Sequence, residues 1–297
     1  MNKQPRKQNH SFGKLETFEP EDKSYSKHKL QEGQGDSTPN EGSVCSLIIY
    51  TIEEELPFTD EALCEYKINE ECEITVGEGD SQIAQLFDKI VMTMQEDEIA
   101  YIKSKVDLNG NKLSETEAAV KTSGLRLKFH LKSLNRAASV DDLEGDEKLE
   151  RGQHHKDKGT ELFQKGNIDF ALLRYERALT YVHSMEPLGD LPGDLPERFM
   201  KLKLHCHSNL AAAHLKKGNY PKVIEFCAEA LKTDPKNVKA LYRRSQAHLK
   251  LHKYPEAQQD LNLAKSIEPE NKAVLSALHE TQKLMAQEKQ MYQKMFS

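Results

Sequence analysis

The sequence has no run of eighteen apolar residues, and its opening, MNKQPRKQNHS, lacks the apolar stretch of a secretory signal. Neither a membrane span nor an export signal is expected, which points to the cytosol, with the nucleus as a second location. Cysteine is scarce: Cys45, Cys64, Cys72, Cys206 and Cys227 are odd in number, scattered, and form no CxxC pair. A disulfide framework and a zinc ribbon are thereby excluded, and reduced thiols are expected. His205-Cys206-His207 is metal-like in composition, but neighbours one or two apart on a helix face different ways, so no metal and no cofactor is expected. HExxH, a P-loop and a nucleophile elbow are missing, and Gly77-Glu78-Gly79 is a lone GxG that reads as a turn. Tryptophan is absent altogether.

What is there suits a strongly solvated chain: 297 residues, 37% hydrophobic and 30% charged, long enough for two ordinary domains. The charge is unevenly placed. Residues 1–147 hold 17 basic and 30 acidic side chains, a balance of −13, whereas residues 148–297 hold 25 and 18, a balance of +7. A basic half attracts nucleic acid or an acidic peptide. Its cations are mixed with acids and lack interleaved aromatics, which argues against nucleic acid.

Residues 1–43 are polar and cannot bury enough apolar surface to offset ordering, so they read as a disordered tail. Residues 44–135 carry short β-rich runs at Ser46 to Ile52, Cys72 to Val76, Ile99 to Val106 and Leu125 to Leu134. Between them, Ile83, Leu86, Phe87, Ile90, Val91 and Met94 recur at helical spacing over Ser81 to Met94. One helix among antiparallel strands predicts a small α+β domain. The acidic run Glu53 to Glu55 reads as solvated surface. Residues 136–146 are acidic and read as a linker, and from residue 147 on the pattern is helical.

The helical half repeats itself. Ala213-His214-Leu215, Tyr220-Pro221 and Asp234-Pro235-Lys236-Asn237 recur 34 residues later as Ala247-His248-Leu249, Tyr254-Pro255 and Glu268-Pro269-Glu270-Asn271. Thirty-four is the tetratricopeptide repeat (TPR) period, a helical hairpin in which alanines permit close approach and proline ends the second helix. A further copy lies 52 residues upstream, where Gly166-Asn167 matches Gly218-Asn219. The excess of 18 residues is visible as Pro187 to Glu197, which reads as an extended connection. Three repeats (152–185, 204–237, 238–271) and a capping helix over 272–296 follow.

These repeats resemble the TPR domains of co-chaperones that hold the acidic C-terminus of heat shock proteins 90 and 70. In that family a carboxylate clamp is built from five positions, which here carry Lys156, Thr160, Asn209, Lys239 and Arg243. Four are retained, and Thr160 stands where the family has Asn. The residue types suit the task, because Lys and Arg make charge-assisted bonds to carboxylates and Asn orients them. Lys239 and Arg243, four apart, share a helix face from which Arg244 turns away.

A β-rich domain ahead of such repeats resembles the FK506-binding proteins with TPR tails. EITVGEGD, the helix after it, EDEIAYIKSK and LRLKFHLKSL are similar to that family's strand, helix, strand and closing strand. Lys158 to Phe163 and the terminal KMFS are most similar to a divergent, FK506-binding protein-like branch. The resemblance implies a degenerate FKBP-like domain followed by an all-α TPR superhelix with a C-terminal capping helix. Active relatives twist an X-Pro bond in an aromatic pocket floored by tryptophan. Here Phe87 falls at the floor, Lys105 to Lys112 replaces an Ala-Tyr-Gly run, and the Phe-Asp pair and Ile-Pro-Pro loop are missing, so an inactive isomerase is expected. The leading reading is a non-catalytic adaptor that links heat shock protein 90, or 70, to clients. Other readings are a weak prolyl isomerase, a scaffold for a non-chaperone partner, and a calmodulin site on the last helix.

Overall fold

The computed structural model describes residues 17–51, 66–104 and 126–295, which fall into two units, residues 1–139 and 140–297. Residues 1–16 of the expected tail, Cys64, the run Glu53 to Glu55, Lys105 to Lys112 and Phe296 lie outside the described residues.

In the first unit six strands form one antiparallel sheet. They are β1 (Thr17–Phe18), β2 (Tyr25–Gln31), β3 (Val44–Thr51), β4 (Glu71–Thr75), β5 (Ile99–Ser104) and β6 (Arg126–Asn135), in the order β1-β2-β5-β6-β3-β4. Period-two alternation decides the faces. Cys45, Leu47 and Ile49 of β3 and Leu127, Phe129 and Leu131 of β6 are at most 1% exposed, and Leu47 pairs with Leu131 and Ile49 with Phe129. Their core is shared by helix α1 (Gln82–Val91), capped where Ser81 Oγ accepts from the Ala84 amide at 3.0 Å. Ile83, Leu86, Phe87, Ile90 and Val91 are buried on it, each worth about 1.5–3 kcal/mol. Gly77 turns the chain after β4 at φ +90°, with the Glu78 amide bonded to the Thr75 carbonyl at 3.1 Å.

The tail is the first correction. β2 lies inside it, paired with β5 along its length, and Tyr25 is fully buried. The polar sequence YSKHKLQ hid this strand because its inward lysine is neutralised by a partner 71 residues away. Lys27 Nζ meets Glu98 Oε1 at 2.9 Å and the Thr93 carbonyl at 2.5 Å. The presumed linker is likewise anchored: Arg136 Nε donates to the Thr38 carbonyl at 3.1 Å, and Asn40 Nδ2 to that of Ala137 at 3.1 Å.

The second unit consists of helical hairpins. α2 (Gly145–Gln164) and α3 (Ile168–His183) make the first, α4 (Leu195–Lys217) and α5 (Tyr220–Thr233) the second, α6 (Val238–Lys250) and α7 (Tyr254–Ile267) the third, and α8 (Lys272–Met295) follows. α2 begins inside the expected linker, where the Glu147 carboxylate accepts from the Glu144 amide at 3.2 Å. Close approach is set by glycine: a Cβ on Gly159 would stand 2.7 Å from the Tyr175 ring, and one on Gly152 2.9 Å from Leu202 Cδ2. The insertion is also corrected. It is not all connection, because α4 starts at Leu195, nine residues before the repeat at 204, with Pro196 in the first turn where its missing N–H costs nothing. The last helix runs over the expected range, but only its first half is packed. Val274, Ala277, Leu278 and Thr281 are buried, whereas Met291 and Met295 are 58% and 69% exposed. Among the described residues no helix is long and apolar enough to cross a membrane.

Candidate anion-binding groove

The first helices of the three hairpins, α2, α4 and α6, enclose a cavity of about 300 Å³. It is lined by Lys156, Thr160, Leu204, His205, Ser208, Asn209, Asn237, Lys239 and Arg243, so all five positions counted from the repeats face one space. None of these nine side chains is acidic. The repeat does this by phase, since residues four apart on each helix stack on one face.

The five positions are not equally ready. Lys156 is only 16% exposed and its ammonium is engaged by the adjacent Asp157 carboxylate. Burial pushes the Asp157 carboxyl up, but hydrogen bonds from Lys156 and Gln153 outweigh it and hold the group below its ordinary value. Thr160 Oγ1 donates to the Lys156 carbonyl at 3.0 Å, so its proton is committed within its own helix. Arg243 Nη1 donates to the Ser208 carbonyl at 2.9 Å, bridging α6 to α4. Burial pulls its guanidinium below the usual value, without bringing an arginine near neutrality. Lys239 is exposed, and Asn209 is half-buried. Arg244 leaves the face as expected and is held by a two-point bond to Asp260 of α7, at 2.9 and 2.6 Å.

Counting within the repeats missed His205 and Asn237. Asn237 caps α6, accepting from the Ala240 amide at 3.0 Å and donating to Asp234 Oδ2 at 3.1 Å. The signal for His205 was in the period: 34 residues carry His205 to Lys239 and Asn209 to Arg243. Its neighbours point elsewhere. Cys206 is fully buried, with its thiol pushed up to about 12, and His207 is 4% exposed and stacked on Phe226 at 6.2 Å.

In the first unit, Phe87 was expected at a pocket floor. It is fully buried, edge-on to Tyr66 at 4.7 Å and to Phe129 at 5.0 Å.

The sequence matches the tetratricopeptide repeat family over residues 214–280. Across 94% of the chain it is 29% identical to peptidyl-prolyl cis-trans isomerase FKBP4 of Rattus norvegicus, covering 59% of that protein. The chain thus spans a little over half the length of the curated relatives it matches. Among solved structures, residues 1–211 of CG17282 share a likeness of fold at 14% identity, with a TM-score of 0.55 over 69% of this chain and 96% of that one. The first TPR of Spaghetti (RPAP3), bound to the HSP90 peptide SRMEEVD, is 21% identical with a TM-score of 0.38, over 46% of this chain and 94% of that one. In its sequence, its sheet and its hairpins the chain is similar to TPR-containing FK506-binding proteins, and the comparisons single out no member among them. They also overturn the expectation of an inactive isomerase, since the relatives from rat, mouse, cattle and human that match across the chain are all named peptidyl-prolyl cis-trans isomerases.

Proposed function

We propose that this chain is a co-chaperone adaptor whose groove docks the acidic C-terminal peptide of heat shock protein 90 or 70. One observation carries the reading: Lys156, Asn209, Lys239 and Arg243, from three different helices, line one cavity free of acidic side chains. A carboxylate entering it meets cations on two walls and an amide on the third, each charge-assisted bond being worth roughly 1.5–3 kcal/mol. The clamp roles of these four residues, and the likeness to the FK506-binding protein-like branch, are part of this reading. Pull-down of full-length heat shock protein 90 tests it. Capture is expected to vanish when the chaperone's acidic tail is deleted, and capture indifferent to that deletion sinks the assignment.

Prolyl isomerisation by the first unit is the second reading, favoured by the names of the curated relatives. A protease-coupled proline-peptide assay decides it, with catalysis proportional to protein expected and a flat response refuting it.

A further inference from the structure

The groove does not end at the clamp positions. A second cavity of about 570 Å³ adjoins it, walled by the first half of α2, with Asp146, Glu150 and Gln153, and the early turns of α4, with Arg198 and Lys201. Two residues line both cavities, Lys156 and His205. His205 therefore stands at the junction, one turn before Asn209 and on its face. It is exposed, so a ligand can reach it.

We propose that His205 is a further binding residue of this groove, and that an anionic ligand seated there draws a proton onto its imidazole. The inference rests on the groove being an acidic-peptide site.

The charges around the ring give the mechanism. From α2 it is faced by Lys156, with Asp146 and Glu150 farther along the same wall; from its own helix by Lys201 and Arg198; from α6 by Lys239 and Arg243. The carboxylate of Asp146 is taken up by Arg198 at 3.0 Å. Burial within the groove, and then Lys156, Lys201 and Lys239, hold the imidazole below its ordinary value. At pH 7 the empty groove thus presents a neutral ring. A ligand bringing two or more carboxylates offsets those three ammonium groups and reverses the direction of the effect. The ring takes a proton from solvent, and its N–H donates to a ligand carboxylate. The bound form then holds more protons than the free form, so affinity rises as pH falls.

The test is calorimetric titration of the full chain with the peptide SRMEEVD between pH 6 and pH 8, in buffers of different ionisation enthalpy. Carboxylates and the groove's lysines do not titrate in that window, and the peptide is N-acetylated because a free α-amino group would. Wild type is expected to bind about five- to tenfold more tightly at pH 6 than at pH 8, taking up about half a proton near the middle of the range. His205→Gln is expected to bind with neither trend, and His205→Lys to bind tightly at both ends. An unchanged slope and uptake in His205→Gln overturns the inference, as does wild-type binding that ignores pH, and both leave the clamp reading standing. Absence of any peptide binding by wild type overturns the two together.

Discussion

Replacing Lys239 by Ala separates binding from folding better than any other change in the groove. Arg243 is the more obvious target, but its guanidinium bridges α6 to the Ser208 carbonyl, so its loss mixes fold with affinity. Lys156 is compromised by Asp157. Lys239 lines the cavity, is exposed, and forms no ion pair among the described residues. Its truncation is expected to cost stability no more than about 0.5 kcal/mol. If its ammonium meets a ligand carboxylate, the lost charge-assisted bond is worth roughly 1.5–3 kcal/mol, and solvent exposure places the value near the lower end. At about 1.4 kcal/mol per decade, that is roughly a tenfold weaker Kd. Titration with SRMEEVD at two salt concentrations reads it, because the wild-type advantage should shrink as salt screens the charge. Lys265→Ala, on an exposed face of α7 outside the cavity, is the control. An affinity for Lys239→Ala within twofold of wild type, or an equal loss in the control, refutes the assignment.

Thr160→Asn removes a hydroxyl already committed to the Lys156 carbonyl and offers an amide to the cavity; the same titration is expected to show about five- to tenfold tighter binding, roughly 1 kcal/mol. Gly159→Ala gains helix propensity but drives a methyl into the Tyr175 ring, 1% exposed and backed by the core, so chemical denaturation is expected to show a net loss of about 1–2 kcal/mol. His207 is held down to about 4, first by burial and then by Lys203. Its neutral form belongs to the folded state, so the stability it contributes is complete above about pH 6.5 and is lost as pH falls toward 4, by up to about 1.4 kcal/mol per pH unit. Thermal melts from pH 7 to pH 5 should therefore slope downward, and His207→Phe, stacking on Phe226 without a titrating ring, should flatten that slope.

The parts whose signal is local and repeated were legible in the order of residues alone. A 34-residue period needs no tertiary information, because each hairpin must offer the same small and large residues to its neighbours, and so the helices and the cavity-facing phase of Lys239 and Arg243 could be counted. β3, β6 and α1 were legible because their inner faces are apolar at period 2 or 3.6. The rest came from packing, and in each case the reason is a partner distant in sequence. β2 became a strand because Glu98 waits for Lys27 across the sheet, and polar composition cannot announce a neutralised lysine. Part of the insertion became helix because Leu195 and Leu202 pack against the glycine positions of α2. Asp157 occupies Lys156, the α2 backbone occupies the Thr160 hydroxyl, and His205 joins two cavities. Spacing predicts which way a side chain faces; what meets it there is set by the packing of other helices.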